Sequence, residues 1–209
     1  MRKTSPLLLA ALAAAVSLAA APAMAQSKGD WTLSAGVHQV APKSNNGSLA
    51  GGTLKVDVDS DIKPTITGEY FIADNLGIEV LAALPFKHDI SIDGLGRVGS
   101  TKHLPPVVSL QYHFNSAGKV SPFIGAGLNY TTFFSEDTTG ALAGSKLKLQ
   151  DSWGLAAHAG MDFAIGDKGA LRVDLRWIDI DSKVKLNGEK IGTVNIDPLA
   201  YGVSYVFKF

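Results

Sequence analysis

The 209-residue sequence has no cysteine. Disulfides, thiolate metal sites and a lipid-modified N-terminal cysteine are therefore excluded. Charge of one sign is equally lacking: Lys and Arg together number 19, and so do Asp and Glu. Without a strong field of one sign, nucleic acid is not an expected partner. Beyond the first two dozen residues, no apolar run approaches the roughly 20 residues that a membrane-spanning helix needs. There is also no phosphate-binding loop, no G-x-S-x-G nucleophile elbow and no H-x-x-x-H ligand pair. No cofactor and no metal are expected.

The N-terminus is a different matter. Arg2 and Lys3 precede an apolar run, Leu7 to Ala20, and Ala23-Met24-Ala25 supplies small residues at a cleavage site. That order predicts a secretory signal peptide over residues 1–25, cut after Ala25, because the run is too short to anchor in a bilayer. Removing Arg2 and Lys3 leaves 17 basic against 19 acidic residues, a net charge of −2. The mature part, residues 26–209, has the length of one domain.

What fills that length is alternation. In Gly169–Trp177, Leu171, Val173, Leu175 and Trp177 point one way while Arg172, Asp174 and Arg176 point the other. The same period of two runs through Leu76–Phe86, Leu104–Phe114, Phe123–Phe134, Asp151–Ile165 and Leu199–Phe209, and less strictly through Trp31–Val40 and Ile62–Ile72. Period two over about 8 to 12 residues is a strand signature. Eight such segments are joined alternately by short turns (Ala73–Asn75, Asn115–Lys119, Gly166–Lys168) and longer polar links (Asn45–Gly52, Ser91–Lys102, Ser135–Lys146, Lys185–Gly192). An even number of strands with short turns on one side and long loops on the other predicts an all-β fold. The form expected is an eight-stranded antiparallel transmembrane β-barrel of up-and-down topology.

The rival is a water-soluble sandwich with the apolar face inside. Three features oppose it. Trp31, Tyr112, Phe114, Trp153, Trp177 and Phe209 sit at strand ends, as membrane-interface girdles do. The polar face is rich in Gly, Ala and Ser, which suits a narrow interior, and the strand length matches a membrane span. An Arg facing lipid at mid-depth costs about 2–4 kcal/mol, so Arg172 and Arg176 belong in the lumen. Glu79, Asp162 and Asp174 can neutralise them there as a charged belt.

Several stretches carry a resemblance. They are DNLGIEVLAALPFKHDI (Asp74–Ile90), KHLPPVVSLQYHF (Lys102–Phe114), PFIGAGLNYTTFF (Pro122–Phe134), DSWGLAAHAGMDF (Asp151–Phe163), RWIDIDSKVKL (Arg176–Leu186) and the closing VNIDPLAYGVSYVFKF. In order, and over most of Asp74–Phe209, they resemble the OmpW family of small outer-membrane proteins, of the OmpW/AlkL-like kind. The N-terminal quarter matches more loosely. The resemblance implies an eight-stranded barrel in the outer membrane of a Gram-negative cell, with an apolar inner channel and passive passage of small hydrophobic molecules. It also implies that the terminal Phe209 is a signal for the outer-membrane assembly machinery. Expected partners are outer-membrane lipid and lipopolysaccharide, that machinery, and a small apolar solute.

Within that frame, Leu81, Val107, Phe133, Ala156, Ile178 and Ile180 are the candidate channel residues. Phe71 is a further candidate for a funnel on the loop side. Eight strands enclose a lumen just wide enough for side chains or one small ligand, so these residues could equally be filling. Leu104, Pro105 and Pro106 open a strand where proline cannot donate to the ladder. They form either a lateral gap for a departing solute or a bulge that ends a loop. Asp197-Pro198 opens the last strand in the same way. The belt of Glu79, Asp162, Arg172, Asp174 and Arg176 reads as a plug near the periplasmic end or as a network that stiffens the barrel. His38, His113 and His158 are expected inside, and His88 and His103 near loops. Ser109, His113 and Asp162 are inward-facing residues of hydrolase type but lack a nucleophile motif, so no enzyme is expected. A structural or receptor barrel with a plugged lumen and working loops is the alternative function.

Overall fold

A computed structural model describes residues 26–209; the expected signal peptide, residues 1–25, lies outside the described residues. Residues 169–178 show how the alternation sorts itself. Ala170, Arg172, Asp174, Arg176 and Ile178 are buried, while Leu175 and Trp177 are exposed on the other face. An exposed row of large apolar side chains would be a liability in water. Against lipid tails it is the stable arrangement.

Among the described residues fifteen strands form in chain order. The first eight are β1 (Trp31–Ala41), β2 (Ser48–Leu49), β3 (Leu54–Val58), β4 (Asp61–Ala73), β5 (Leu76–Ala83), β6 (Phe86–Ile92), β7 (Gly96–Leu104) and β8 (Val107–His113). They are followed by β9 (Val120–Thr138), β10 (Leu147–Leu149), β11 (Ser152–Ile165), β12 (Gly169–Ile178), β13 (Asp181–Leu186), β14 (Glu189–Asn195) and β15 (Leu199–Lys208). Eight of them close a circle of antiparallel ladders: β1 with β4, β4 with β5, β5 with β8, β8 with β9, β9 with β11, β11 with β12, β12 with β15, and β15 back to β1. This is the eight-stranded antiparallel barrel that the alternation predicts, with no sheet edge left open to lipid.

The other seven strands stand above it as a collar. Each barrel strand except β9 breaks at the extracellular edge of the ladder, at residues 42–47, 59–60, 84–85, 105–106, 150–151, 179–180 and 196–198, and then resumes as a collar strand. β9 alone runs through. The collar order is β10-β13-β14-β2-β3-β6-β7-β9. Between β9 and β10 side chains carry the closure: Lys148 Nζ donates to Glu136 at 2.9 Å, and Thr138 Oγ1 donates to the Ser145 carbonyl at 2.9 Å.

The polar links are therefore shorter than their composition suggests. Ser91–Lys102, expected as a loop, is mostly ladder: β6 and β7 pair from Phe86↔His103 to Ile92↔Gly96. Likewise Lys185–Gly192 reduces to a two-residue turn at Asn187 and Gly188, both at positive φ (52° and 92°). Asn-Gly is the pair that a tight hairpin of this type needs.

Two aromatic girdles mark the membrane. On the periplasmic side Trp31 packs at a tilt on Tyr70 (4.8 Å between ring centres), and Tyr112 meets Phe114, and Tyr205 Phe207, edge to face. On the extracellular side Tyr130 packs at a tilt on Trp153, ring centres 4.8 Å apart. Phe209 is 72% exposed at the periplasmic rim, its N–H bonded to the Trp31 carbonyl.

Candidate functional site

The lumen has two compartments of opposite chemistry. The lower one, within the membrane, is a polar network. Arg172 on β12 grips Asp162 on β11 with two donors, Nε at 2.7 Å and Nη2 at 2.9 Å. Its Nη1 reaches Glu79 on β5 at 3.3 Å, and its guanidinium lies 4.4 Å from the Phe123 ring centre. Arg176 donates to the same Glu79 at 2.7 Å. His38 Nε2 lies 3.1 Å from both Asp174 oxygens, with Nδ1 2.7 Å from Thr65 Oγ1. Gln111 ties the remainder together: Nε2 donates to Glu69 at 2.9 Å, and Oε1 accepts from His158 Nε2 at 2.8 Å. His113 Nε2 is 3.1 Å from Glu69.

All five predicted belt residues are buried, and direct contacts join Glu79, Asp162, Arg172 and Arg176, while Asp174 pairs with His38 rather than with an arginine. The sequence reading missed Glu69, which completes the belt on β4 at 1% exposure. Thr65, Thr67, Glu69 and Phe71 do alternate with Ile66, Gly68, Tyr70 and Ile72, but Gly68 on the lipid face weakens the pattern. The three histidines expected inside are inside. Charges in a dry interior need close partners and further hydrogen bonds, and the two-pronged Arg172–Asp162 contact is the strongest geometry available.

Above the network the lumen turns apolar. Leu81, Val107, Phe133, Ala156, Ile178 and Ile180, the six predicted channel residues, all join one buried cluster with Val56, Ile90, Leu149, Val184 and Ile196. A cavity opens higher still, inside the collar, with an empty volume of about 710 Å³ including the part open to solvent. Its walls are leucine, isoleucine and valine side chains, with Thr101, His88 and His103 the polar exceptions. None of the six predicted residues lines that cavity; they pack in the same cluster without reaching its walls. Part of the lining, including Leu49, Ile92, Val98 and Ile191, comes from links that the sequence presents as polar loops; the rest lies between those links and the predicted strands. Two further placements differ from expectation. Phe71 sits at the periplasmic end, 5.5 Å from the His113 ring centre, because it closes the lower end of β4. His88 and His103 are buried inside the collar rather than lying in loops.

Around Leu104, Pro105 and Pro106 one ladder is interrupted. β5 and β8 pair as far as Leu81↔Val107, and β6 and β7 resume at Phe86↔His103. Residues 82–85 and 104–106 between them form no ladder pairs with one another. Pro85, Pro105 and Pro106 have no N–H to give, and the Leu84 N–H turns to the Pro64 carbonyl instead. On the other side β9 stays attached, since the Pro106 carbonyl accepts from Tyr130 N and Asn129 Nδ2. At Asp197-Pro198 the chain also leaves the ladder; there Asp197 accepts from Lys43 Nζ at 2.6 Å and from Ile180 N.

A hydrolytic site is not assembled. His113 Nδ1 lies 3.8 Å from Asp162, but the Ser109 hydroxyl is buried with no hydrogen-bond partner. Asp179, Asp181 and Asp197 cluster at the collar junction, where burial first and the other two carboxylates second push the Asp179 carboxyl above its usual range.

A closed eight-stranded barrel with an apolar belt, two aromatic girdles and a polar lumen defines a small β-barrel protein of the bacterial outer membrane. The sequence profile of the OmpW family matches residues 27–209. Outer membrane protein W of Vibrio cholerae serotype O1 is 38% identical over 95% of this chain and 97% of its own length. Outer membrane protein AlkL of Ectopseudomonas oleovorans is 31% identical over 87% of this chain and 84% of its own. The crystal structure of OprG from Pseudomonas aeruginosa superposes with a TM-score of 0.79 at 33% identity, over 90% of this chain and 99% of that one. The chain belongs to the OmpW family: it is a protein of the cell outer membrane and not an enzyme.

Proposed function

We propose that this barrel is a passive uptake channel for small hydrophobic molecules, entered through the collar cavity and left sideways into the membrane. The observation that carries the reading is the order of the compartments: an apolar cavity stands above a floor of packed apolar side chains, and that floor above a belt of interlocked charges. An apolar solute gains by leaving water for the cavity, about 25 cal/mol per Å² of its surface. It would lose heavily by breaking the buried ion pairs below. The ladder break supplies the other direction. Leu81 and Val107 pair just below it, and Phe133 pairs with His103 just above it. Three of the six floor residues therefore border the break, while Leu84 and Pro106 are exposed on its lipid side at the height of Tyr130.

Uptake of n-octane by cells with and without the gene tests the function. A second pair of strains, carrying wild type and a Pro105→Val, Pro106→Thr variant whose restored N–H groups can complete the ladder, tests the exit. Faster uptake with the gene, lost in the variant, is expected. Equal uptake with and without the gene would favour a receptor barrel, a reading supported by the spanned lumen and the tall collar.

A further inference from the structure

Two imidazoles interrupt the apolar cavity. His88 and His103 are 1% and 0% exposed, and their ring centres lie 4.8 Å apart on neighbouring strands β6 and β7. His88 Nε2 and both nitrogens of His103 have no hydrogen-bond partner, although all three are buried. A buried polar group left unpaired carries its full desolvation penalty, and a packed interior could have used Leu or Phe here.

The hydrogen-bonding sense of the pair can be read. His88 Nδ1 contacts the Asp59 carbonyl, which only accepts, so the ring proton sits on Nδ1 and Nε2 is a bare acceptor. His103 brings one N–H and one acceptor. Burial, and for His103 also the proximity of His88, pushes both imidazoles below their usual pKa, so both are neutral at pH 7. No lysine or arginine lines the cavity. The third polar wall residue, Thr101, already donates its hydroxyl to the Lys102 carbonyl.

We propose that the cavity is built for an uncharged amphiphile: its tail lies against the Leu, Ile and Val walls, and its single hydroxyl or carbonyl group bonds to the His88–His103 pair. This rests on reading the cavity as the solute compartment. A hydroxyl is donor and acceptor at once, which matches one bare acceptor beside one N–H. A carboxylate fits poorly, since it would enter a dry cavity without a cation. A metal ion is not served either. Two histidines fall short of the three or four ligands such a site needs. Among the described residues the one cluster of three ligating side chains is the Asp179 group elsewhere. The pair also lies next to the ladder break: His103 pairs with Phe86 just above it and makes an edge contact with Phe133. A head group held there already stands beside the proposed exit.

The experiment uses the purified barrel in lipid nanodiscs, with empty nanodiscs as the partition control, and titrates 1-octanol, n-octane and octanoate by calorimetry. 1-Octanol is expected to bind about tenfold tighter than n-octane, the difference one to two well-made hydrogen bonds supply. Octanoate should bind weakest. In the His88→Leu, His103→Leu variant the preference for octanol should vanish while n-octane still binds. In the wild type, the imidazole ¹⁵N resonances of both histidines should move with 1-octanol and stay put with n-octane, a readout that needs no variant. Equal binding of octanol and octane, or a preference retained in the variant, would overturn the proposal and leave the channel reading standing. Failure of all three to bind would overturn both.

Discussion

Arg176 on β12 and Glu79 on β5 meet at 2.7 Å from opposite walls of the barrel. Their strands are four apart in either direction round the circle, so this one contact spans the lumen. Glu79 serves Arg172 as well. Glu79→Ala strands the Arg176 guanidinium in a dry interior, while Arg172 keeps Asp162, and is expected to cost about 3–5 kcal/mol, read as a lowered urea midpoint in lipid vesicles. Glu79→Leu combined with Arg176→Met should recover most of that loss, because Arg172 keeps its two-pronged hold on Asp162.

The lipid face makes the opposite demand. Val203 pairs with Val37 and Val173 at the middle of the wall and is half exposed. Val203→Arg is expected to destabilise the folded barrel in lipid by about 2–4 kcal/mol. The same change at Val120, close to the periplasmic turn, should cost about 1 kcal/mol or less.

Backbone approach sets a third limit. A Cβ added at Gly127 would stand 2.0 Å from the Val108 carbonyl oxygen and 2.6 Å from Ser109 Cα, backbone atoms that cannot step aside. Gly68, on the lipid face, has nothing within 4 Å of such an atom. Gly127→Ala should therefore sharply reduce the fraction of folded barrel, seen as loss of the heat-modifiable band on a gel, while Gly68→Ala should leave it unchanged.

The collar histidines give a pH dependence with a definite sign. Burial lowers the pKa of both His88 and His103 below the usual 6.5. On acidification the unfolded imidazoles take up protons while the folded ones resist. Their contribution to stability is full above about pH 6.5 and falls below it, by up to about 1.4 kcal/mol per pH unit for each ring. Asp61 and Asp151 in the same region have lowered pKa values and titrate only at more acid pH. Between pH 7.5 and 5, the wild type should lose more collar stability, measured by hydrogen exchange in β6 and β7, than the His88→Leu, His103→Leu variant.

Phe209 lies on the lipid side of the rim, held by its N–H to Trp31. Its removal is expected to lower the amount of barrel recovered in outer membranes several-fold. The purified variant should refold in detergent as the parent does, which separates a role in assembly from one in stability.

How much of this was legible in the sequence depends on which face a residue uses. On β12 the contrast between Arg172, Asp174, Arg176 and their leucine and valine neighbours is strong, so both the register and the belt follow from period two. On β4 the outward glycine blurs the contrast, and Glu69 was missed. The collar was hidden for a different reason. Its strands are short and run into links rich in Gly, Ser, Asn and Asp, composition that signals turns, yet they are held by ladders between distant segments, such as β3 with β6. Local sequence does not encode those partners. The cavity walls and the histidine pair therefore came into view only with the fold, while the floor beneath them had been assigned from alternation.

β9 is the one wall element that crosses the joint between membrane barrel and collar without a break, nineteen residues long. The other seven crossings leave the ladder for two residues or more, whereas β9 passes with only a local irregularity at Ser135, which sits at positive φ (54°) beside the register shift with β7. One strand therefore carries backbone pairing from the collar, at Gly99↔Thr138, down to Tyr130, whose N–H bonds the Pro106 carbonyl at the ladder break.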